Sequence, residues 1–117
     1  MNSQTSDDAA FQHGITLFNA HEFFQAHEVW EDVWRATPGP EKGILQSLIQ
    51  IAVALHHHST GNRDGAQSVM DRALRNLEEA GDFFRDINMV RLREDVARTA
   101  QALKSKQEIR FFELTRR

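Results

Sequence analysis

Ala26-His27-Glu28-Val29-Trp30-Glu31-Asp32-Val33-Trp34 is the stretch on which the fold turns. At about 100° per residue, Phe23, His27, Trp30, Glu31 and Trp34 fall within one arc of about 100° on a helical wheel. Phe24 lies just beyond Glu31, and Gln25, Asp32 and Arg35 point roughly the other way. The run therefore reads as an amphipathic helix whose apolar side carries an imidazole and a carboxylate four residues apart. A helix that needed only solubility would put both on its outer side. Among aromatic rings they are costly unless hydrogen-bonded or holding a ligand. The rest of the chain is expected to be organised around this helix and a polar pocket on it.

Working outward, this helix spans about residues 22 to 36 and stops at Thr37-Pro38-Gly39-Pro40, where both prolines of the chain sit. Upstream, Asn19-Ala20-His21 makes a short turn. Before it Phe11, Ile15 and Phe18 follow the i, i+4, i+7 spacing of one buried face, on a helix capped by Ser6 or Asp7. Residues 1 to 6 are expected to be a loose tail, with a single helical domain over 7 to 117.

Downstream, Pro40 suits the first position of a third helix, about 40 to 60. Ile44, Leu45, Leu48, Ile49, Ile51, Ala52, Val53 and Leu55 make it apolar over most of its circumference, so it is expected at the centre. Its remaining stripe carries Gln46, Gln50 and His57. Gly61 fits a helix C′ position and Asn62 the next N-cap. A fourth helix, about 63 to 80, places Val69, Ala73, Leu77 and Ala80 inward and ends at Gly81. Residues 82 to 88 form a loop whose Phe83, Phe84 and Ile87 fold back on the core. Asn88 caps a fifth helix, about 89 to 105, with Leu92, Val96, Ala100 and Leu103 on one face. The tail Glu108-Ile109-Arg110-Phe111-Phe112-Glu113-Leu114 is too apolar for a free end, so it is expected across the bundle or against another subunit. The fold class is all-α: a single-domain bundle of about five helices built from antiparallel helical hairpins.

The 117 residues, 40% hydrophobic and 26% charged, suit one soluble domain with one core. A net charge of −3 argues against a nucleic-acid binder. The chain has no cysteine, which excludes disulfides, thiolate metal sites and cysteine nucleophiles. No apolar run reaches the roughly 18 residues that cross a membrane. The polar, acidic N-terminus is neither signal nor transit peptide, so a cytoplasmic protein is expected.

Three blocks together resemble an uncharacterised family known as domain of unknown function 309. They are Gly14-x-x-Leu17-Phe18-Asn19, then Ala26-His27-Glu28-x-x-Glu31-x-x-Trp34, then Leu48-Ile49-Gln50-x-Ala52-x-Ala54-Leu55-x-His57 with Gly61-Asn62-x-x-Gly65-Ala66. The resemblance covers about residues 11 to 80 and implies a small helical bundle; it implies no activity. The family pattern often holds an aromatic before His57, where this chain has His56, and His58 follows. Gly14, Leu17, Phe23, Ala26, Trp30 and Pro38 also resemble one tetratricopeptide unit. No second copy appears 34 residues on, as that repeat requires, so the likeness is one of helical-hairpin geometry.

His27, Glu28, Glu31, Trp34, Gln50 and His57 are the candidate site. Three readings stay open. In the first they are a buried hydrogen-bond network, Glu31 accepting from His27 or His57, Gln50 supplying a donor and the Trp34 indole finding an oxygen, which fixes helix register. In the second they line a small-molecule pocket. In the third His27, Glu31 and His57, with Glu28, hold a divalent metal between facing helices. His27-Glu28-x-x-Glu31 resembles a zinc-protease motif, but Glu31 stands where the second histidine belongs. His56-His57-His58 diverge in about 100° steps and do not grip one metal; His56 is expected packed, and His13, His21 and His58 exposed. Two functions follow: a binding or scaffold module that associates with itself or another protein, or a metal-assisted hydrolase or small-ligand enzyme with Glu28 or Glu31 as base.

Overall fold

Five helices follow one another in chain order in the computed structural model: α1 (Ser3–Asn19), α2 (Phe23–Ala36), α3 (Pro40–Ser59), α4 (Arg63–Leu77) and α5 (Met89–Lys104). The structure describes residues 3–117, and side chains from Asp7 onward. α1 is helical from Ser3, so the cap expected at Ser6 or Asp7 falls inside it, as does part of the expected tail; Met1 and Asn2 lie outside the described residues. Residues 20–22, 37–39 and 60–62 join the first four helices. Connections this short turn each helix back along its predecessor. α3, the most apolar, lies against both α2 and α4, and α5 lies against α4. The result is an all-α stack of antiparallel hairpins, 47 × 27 × 23 Å in extent.

The local signals act as their chemistry dictates. Pro40 opens α3, where its missing N–H is not needed. Asn62 and Asn88 cap α4 and α5, their side chains accepting from the N–H groups of Gly65 and Arg91 at 2.9 and 3.1 Å. Gly61 turns the chain at φ 85°. α4 closes at Leu77, three residues before the expected end. Arg93 on α5 satisfies the chain where it leaves the helix, its guanidinium donating to the Leu77 and Gly81 carbonyls at 3.1 and 2.8 Å. Met70 and Leu77 are the large buried side chains of α4, and Val69 is only half-buried.

The core centres on Trp30. Its indole is fully buried between Phe11 and Phe18, ring centroids 6.3 and 5.9 Å away, and its N–H donates to the Phe11 carbonyl at 3.2 Å. Gly14 on α1 makes this possible: a Cβ there would sit 2.1 Å from the indole nitrogen. Burying such a ring against backbone contributes several times the stabilisation of one surface contact.

The loop after α4 holds a small hairpin absent from the sequence expectation. β1 (Phe83–Phe84) pairs antiparallel with β2 (Ile87–Asn88), Phe84 facing Ile87. Arg85 and Asp86 form its two-residue turn with φ 46° and 68°, the both-positive pattern of a type I′ connection. Phe84 and Ile87 join the core as expected, and Phe84 meets Phe11 edge-on at 6.0 Å; Phe83 stays exposed. The hairpin turn directs alternate side chains to opposite faces, so the two phenylalanines cannot both point inward.

The terminal segment crosses the stack. Beyond Lys104 the chain turns at Ser105-Lys106 and continues outside any helix or named strand, with Leu114 buried and Ile109 and Phe112 half-buried against the core. Asn19 grips its backbone, donating to the Leu114 carbonyl and accepting from the Leu114 N–H, both at 2.8 Å.

Candidate functional site

α2 decides where the candidate residues lie. Its buried positions are Phe23, Ala26, Trp30 and Val33, with Thr37 just beyond. On the wheel this stripe is centred near Ala26 and Thr37, which leaves Trp34, His27 and Glu31 about 60°, 80° and 120° round from it. The small residues Ala26 and Val33 thus share the inner face with Phe23 and Trp30. The expected apolar arc passes through the large rings instead. His27 and Glu31 consequently flank the core rather than enter it, with side chains 17% and 41% exposed, and Glu28 points to solvent.

The structure brings together only part of the expected network. His27 Nε2 lies 3.8 Å from Glu31 Oε1, a loose i, i+4 contact beyond hydrogen-bond distance. The other ring nitrogen sits 2.6 Å from the Phe24 carbonyl and satisfies it. Glu31 also faces Arg35 at 3.7 Å. Gln50 is elsewhere: its Oε1 accepts from Asn76 Nδ2 on α4 at 2.9 Å. His57 faces Asn62 Nδ2 at 3.5 Å, at the α3–α4 turn. The single buried network of His27, Glu31, Gln50 and His57 is thus replaced by three separate pairs. The Trp34 indole N–H finds neither a carbonyl nor a carboxylate; it is buried without a partner, while Lys42 Nζ sits 4.0 Å from the ring centroid. Among the described residues no three His, Asp or Glu side chains form a group that could hold a metal ion, and His27, Glu31 and His57 do not converge.

What does assemble on this side is aromatic. Phe24, 47% exposed, has the His27 ring at 5.0 Å and the His56 ring at 5.2 Å, bridging α2 and α3. His56 is half-buried by this contact, and His58, expected exposed, is also half-buried; His13 and His21 are exposed. Clefts of 420 Å³ (Gly39, Pro40, Gly43, Ile44, Arg75, Asn76 among its walls) and 590 Å³ (between α5 and the terminal segment) lie away from these residues.

A second polar cluster, invisible to helix-wheel reasoning, fastens the hairpin and terminus to α1. Arg85 Nη1 pairs with Asp7 at 2.8 Å and its Nε with Glu41 at 3.3 Å. Arg116 donates to Asp8 at 2.9 Å, to Gln12 at 3.0 Å and to the Arg85 carbonyl at 2.9 Å. Both guanidinium groups lie over the Phe11 ring, at 5.0 and 5.5 Å. The partners are up to 108 residues apart, so no local pattern announces them.

These features define a class: a small all-helical domain stacked from antiparallel hairpins, whose candidate polar residues lie along helix surfaces instead of around one reaction centre. The chain matches the family model Domain of unknown function (DUF309) over residues 11–69, about half its length, and it belongs to that family. It is 35% identical over 77 residues to an uncharacterised protein of Aquifex aeolicus (strain VF5), covering 65% of this chain and 23% of that protein. It is 32% identical over 76 residues to the uncharacterised protein YpuF of Bacillus subtilis (strain 168), covering 64% of this chain and 44% of YpuF. The shared region spans less than half of either relative. No helix among the described residues is long and apolar enough to cross a membrane.

Proposed function

We propose that this chain is a binding or scaffold module that docks a protein partner on the α2–α3 face around Phe24. The observation that carries the reading is the exposed Phe24 ring set between the imidazoles of His27 and His56. An exposed large aromatic flanked by polar rings suits the centre of a docking surface. Its partner carries an apolar side chain to cover Phe24 and hydrogen-bond acceptors for the imidazole N–H groups. Support also comes from the relatives: the shared region occupies 23% of one and 44% of the other, as an attachment module built into longer proteins would. A cytoplasmic site of action belongs to the same reading, and fractionation of host cells checks it.

A photo-crosslinking amino acid at position 24, compared with the same group at Arg72 on the exposed side of α4, tests the reading in host cells. The expected result is one defined crosslinked protein from position 24 and none from position 72. A crosslink to a second copy reassigns the face to self-association. No crosslink from position 24 rejects the docking surface.

A metal-assisted enzyme is the second reading, favoured by the His27–Glu31 pair at 3.8 Å beside the exposed Glu28. Metal analysis of untagged protein, wild type beside His27→Ala and His57→Ala, separates the two. Near-stoichiometric metal lost in the variants supports the enzyme; metal-free wild type supports the module.

A further inference from the structure

The cationic charge of the chain is gathered at one end. Residues 89–117 carry eight lysines and arginines against four acids, in a chain whose net charge is −3. The fold uses part of that charge: Arg93 donates to the Leu77 and Gly81 carbonyls, and Arg116 and Arg117 pair with Asp8 and Asp86. Arg91, Arg98 and Arg110 have a different setting. All three are exposed and line the cleft of 590 Å³ between α5 and the terminal segment. Arg91 and Arg98 stand seven residues apart on one face of α5, with the buried Asp95 between them, and Asp95 ion-pairs with Arg98. The guanidinium groups of Arg91 and Arg110 meet no hydrogen-bonding or ion-pair partner among the described residues. Like charges gathered around one cleft are relieved by an anion held between them.

Two further groups narrow the class of anion. Phe111 lines the same cleft and is 46% exposed, its ring backed by His21 at 4.4 Å and Phe23 at 5.7 Å between centroids. Glu113, exposed on the same wall, forms no ion pair with the arginines among the described residues and offers acceptor oxygens. We propose that this cleft binds a nucleoside phosphate, with its phosphates between Arg91, Arg98 and Arg110, its base over Phe111 and its ribose hydroxyls donating to Glu113. Guanidinium forks match phosphate oxygens. Aromatic rings stack on bases, and carboxylates accept from ribose hydroxyls. The volume falls in the roughly 300–1,000 Å³ range of small-ligand sites. A bare inorganic anion would leave Phe111 and Glu113 without a role. The site uses none of the Phe24 face, so it stands or falls apart from the docking reading.

NMR titration of the full chain with ADP, adenosine and pyrophosphate tests it. ADP is expected to saturate shifts of the Arg91, Arg98 and Arg110 Nε–H signals and the Phe111 ring signals below about 1 mM. Adenosine and pyrophosphate each bind about tenfold more weakly, since each fills only part of the site. Arg91→Ala and Arg110→Ala each weaken ADP about tenfold by removing a charge-assisted contact. Phe111→Ala weakens ADP about tenfold and leaves pyrophosphate unchanged, because only the base meets the ring. Arg72→Ala, which removes the same charge from the exposed side of α4, and Phe24→Ser leave ADP binding unchanged. Circular dichroism confirms that each variant is folded. Failure of these signals to saturate by about 5 mM ADP overturns the proposal. So does an equal loss in Arg72→Ala, pyrophosphate that binds as tightly as ADP, or a single-stranded oligonucleotide that binds more tightly than ADP.

Discussion

The α2–α3 face and the α1–hairpin–terminus face employ polar side chains in opposite ways. On the first, His27, Glu31, Gln50 and His57 meet only local or neighbouring groups, and the Glu31 carboxylate stands 3.7 Å from Arg35 and 3.8 Å from His27. On the second, Arg85 and Arg116 each gather several partners from distant segments and lie over Phe11. The first face has spare aromatic surface at Phe24 and little that the fold depends on. The second closes the molecule. Polar residues spaced along one helix decorate it; polar residues drawn from both ends of the chain hold it together.

The sharpest way to break this contrast is at the joint beneath the fastened face. Gly14→Ala places a methyl group within 2.4 Å of two indole atoms of Trp30. Because the ring is wedged between Phe11 and Phe18, the variant is expected to lose about 3 kcal/mol, at the upper end for overpacking. Trp30→Ala, which empties the same site, is expected to cost about 3–5 kcal/mol. Chemical denaturation of both against wild type checks the order. Loss of less than about 1 kcal/mol in Gly14→Ala would show that α1 and α2 separate easily.

Next comes the grip on the terminus. Asn19→Ala orphans the N–H and C=O of Leu114 and is expected to destabilise by about 1–3 kcal/mol. It should also speed hydrogen exchange at Leu114 while leaving the α3–α4 amides protected. Uniform acceleration across the chain would mean that the terminus is part of the cooperative core.

The smallest effects belong to the α2–α3 face. The half-exposed His27–Glu31 pair is expected to show a coupling energy below about 0.5 kcal/mol in a double-mutant cycle, falling further in high salt. A deeply buried network would instead lose several kcal/mol per partner. Phe24→Ser is expected to change stability by less than about 0.5 kcal/mol while removing the crosslinking partner's affinity. A large loss of stability from Phe24→Ser would reassign Phe24 to the core.

Much of the fold was legible in the residues. The Pro38-Gly39-Pro40 break, the Gly61-Asn62 turn and the Asn88 cap marked where helices begin and end, and each signal acts through nearest neighbours. The site was less legible. On the wheel of α2 the large Trp34 ring and the polar His27 and Glu31 side chains outweigh their neighbours in size and chemistry. Ala26 and Val33, which face inward, carry little signal of their own. The Arg85-Asp86 turn carries no sequence signal because its positive φ values rest on residues other than the usual Asn-Gly.

Sequence by itself determined the helical class, the order of the helices, the central place of α3 and the family. Those follow from periodicity, caps and motif blocks, all short-range properties of the chain. Only the tertiary structure decided how far α2 is rotated about its axis and which polar residues meet. It also decided that Trp34 keeps an unpartnered N–H and that the last ten residues bind α1 and the hairpin. Those outcomes depend on which helix faces approach most closely, and that is settled by the fit of Trp30 over Gly14 and by contacts between residues nearly a whole chain apart.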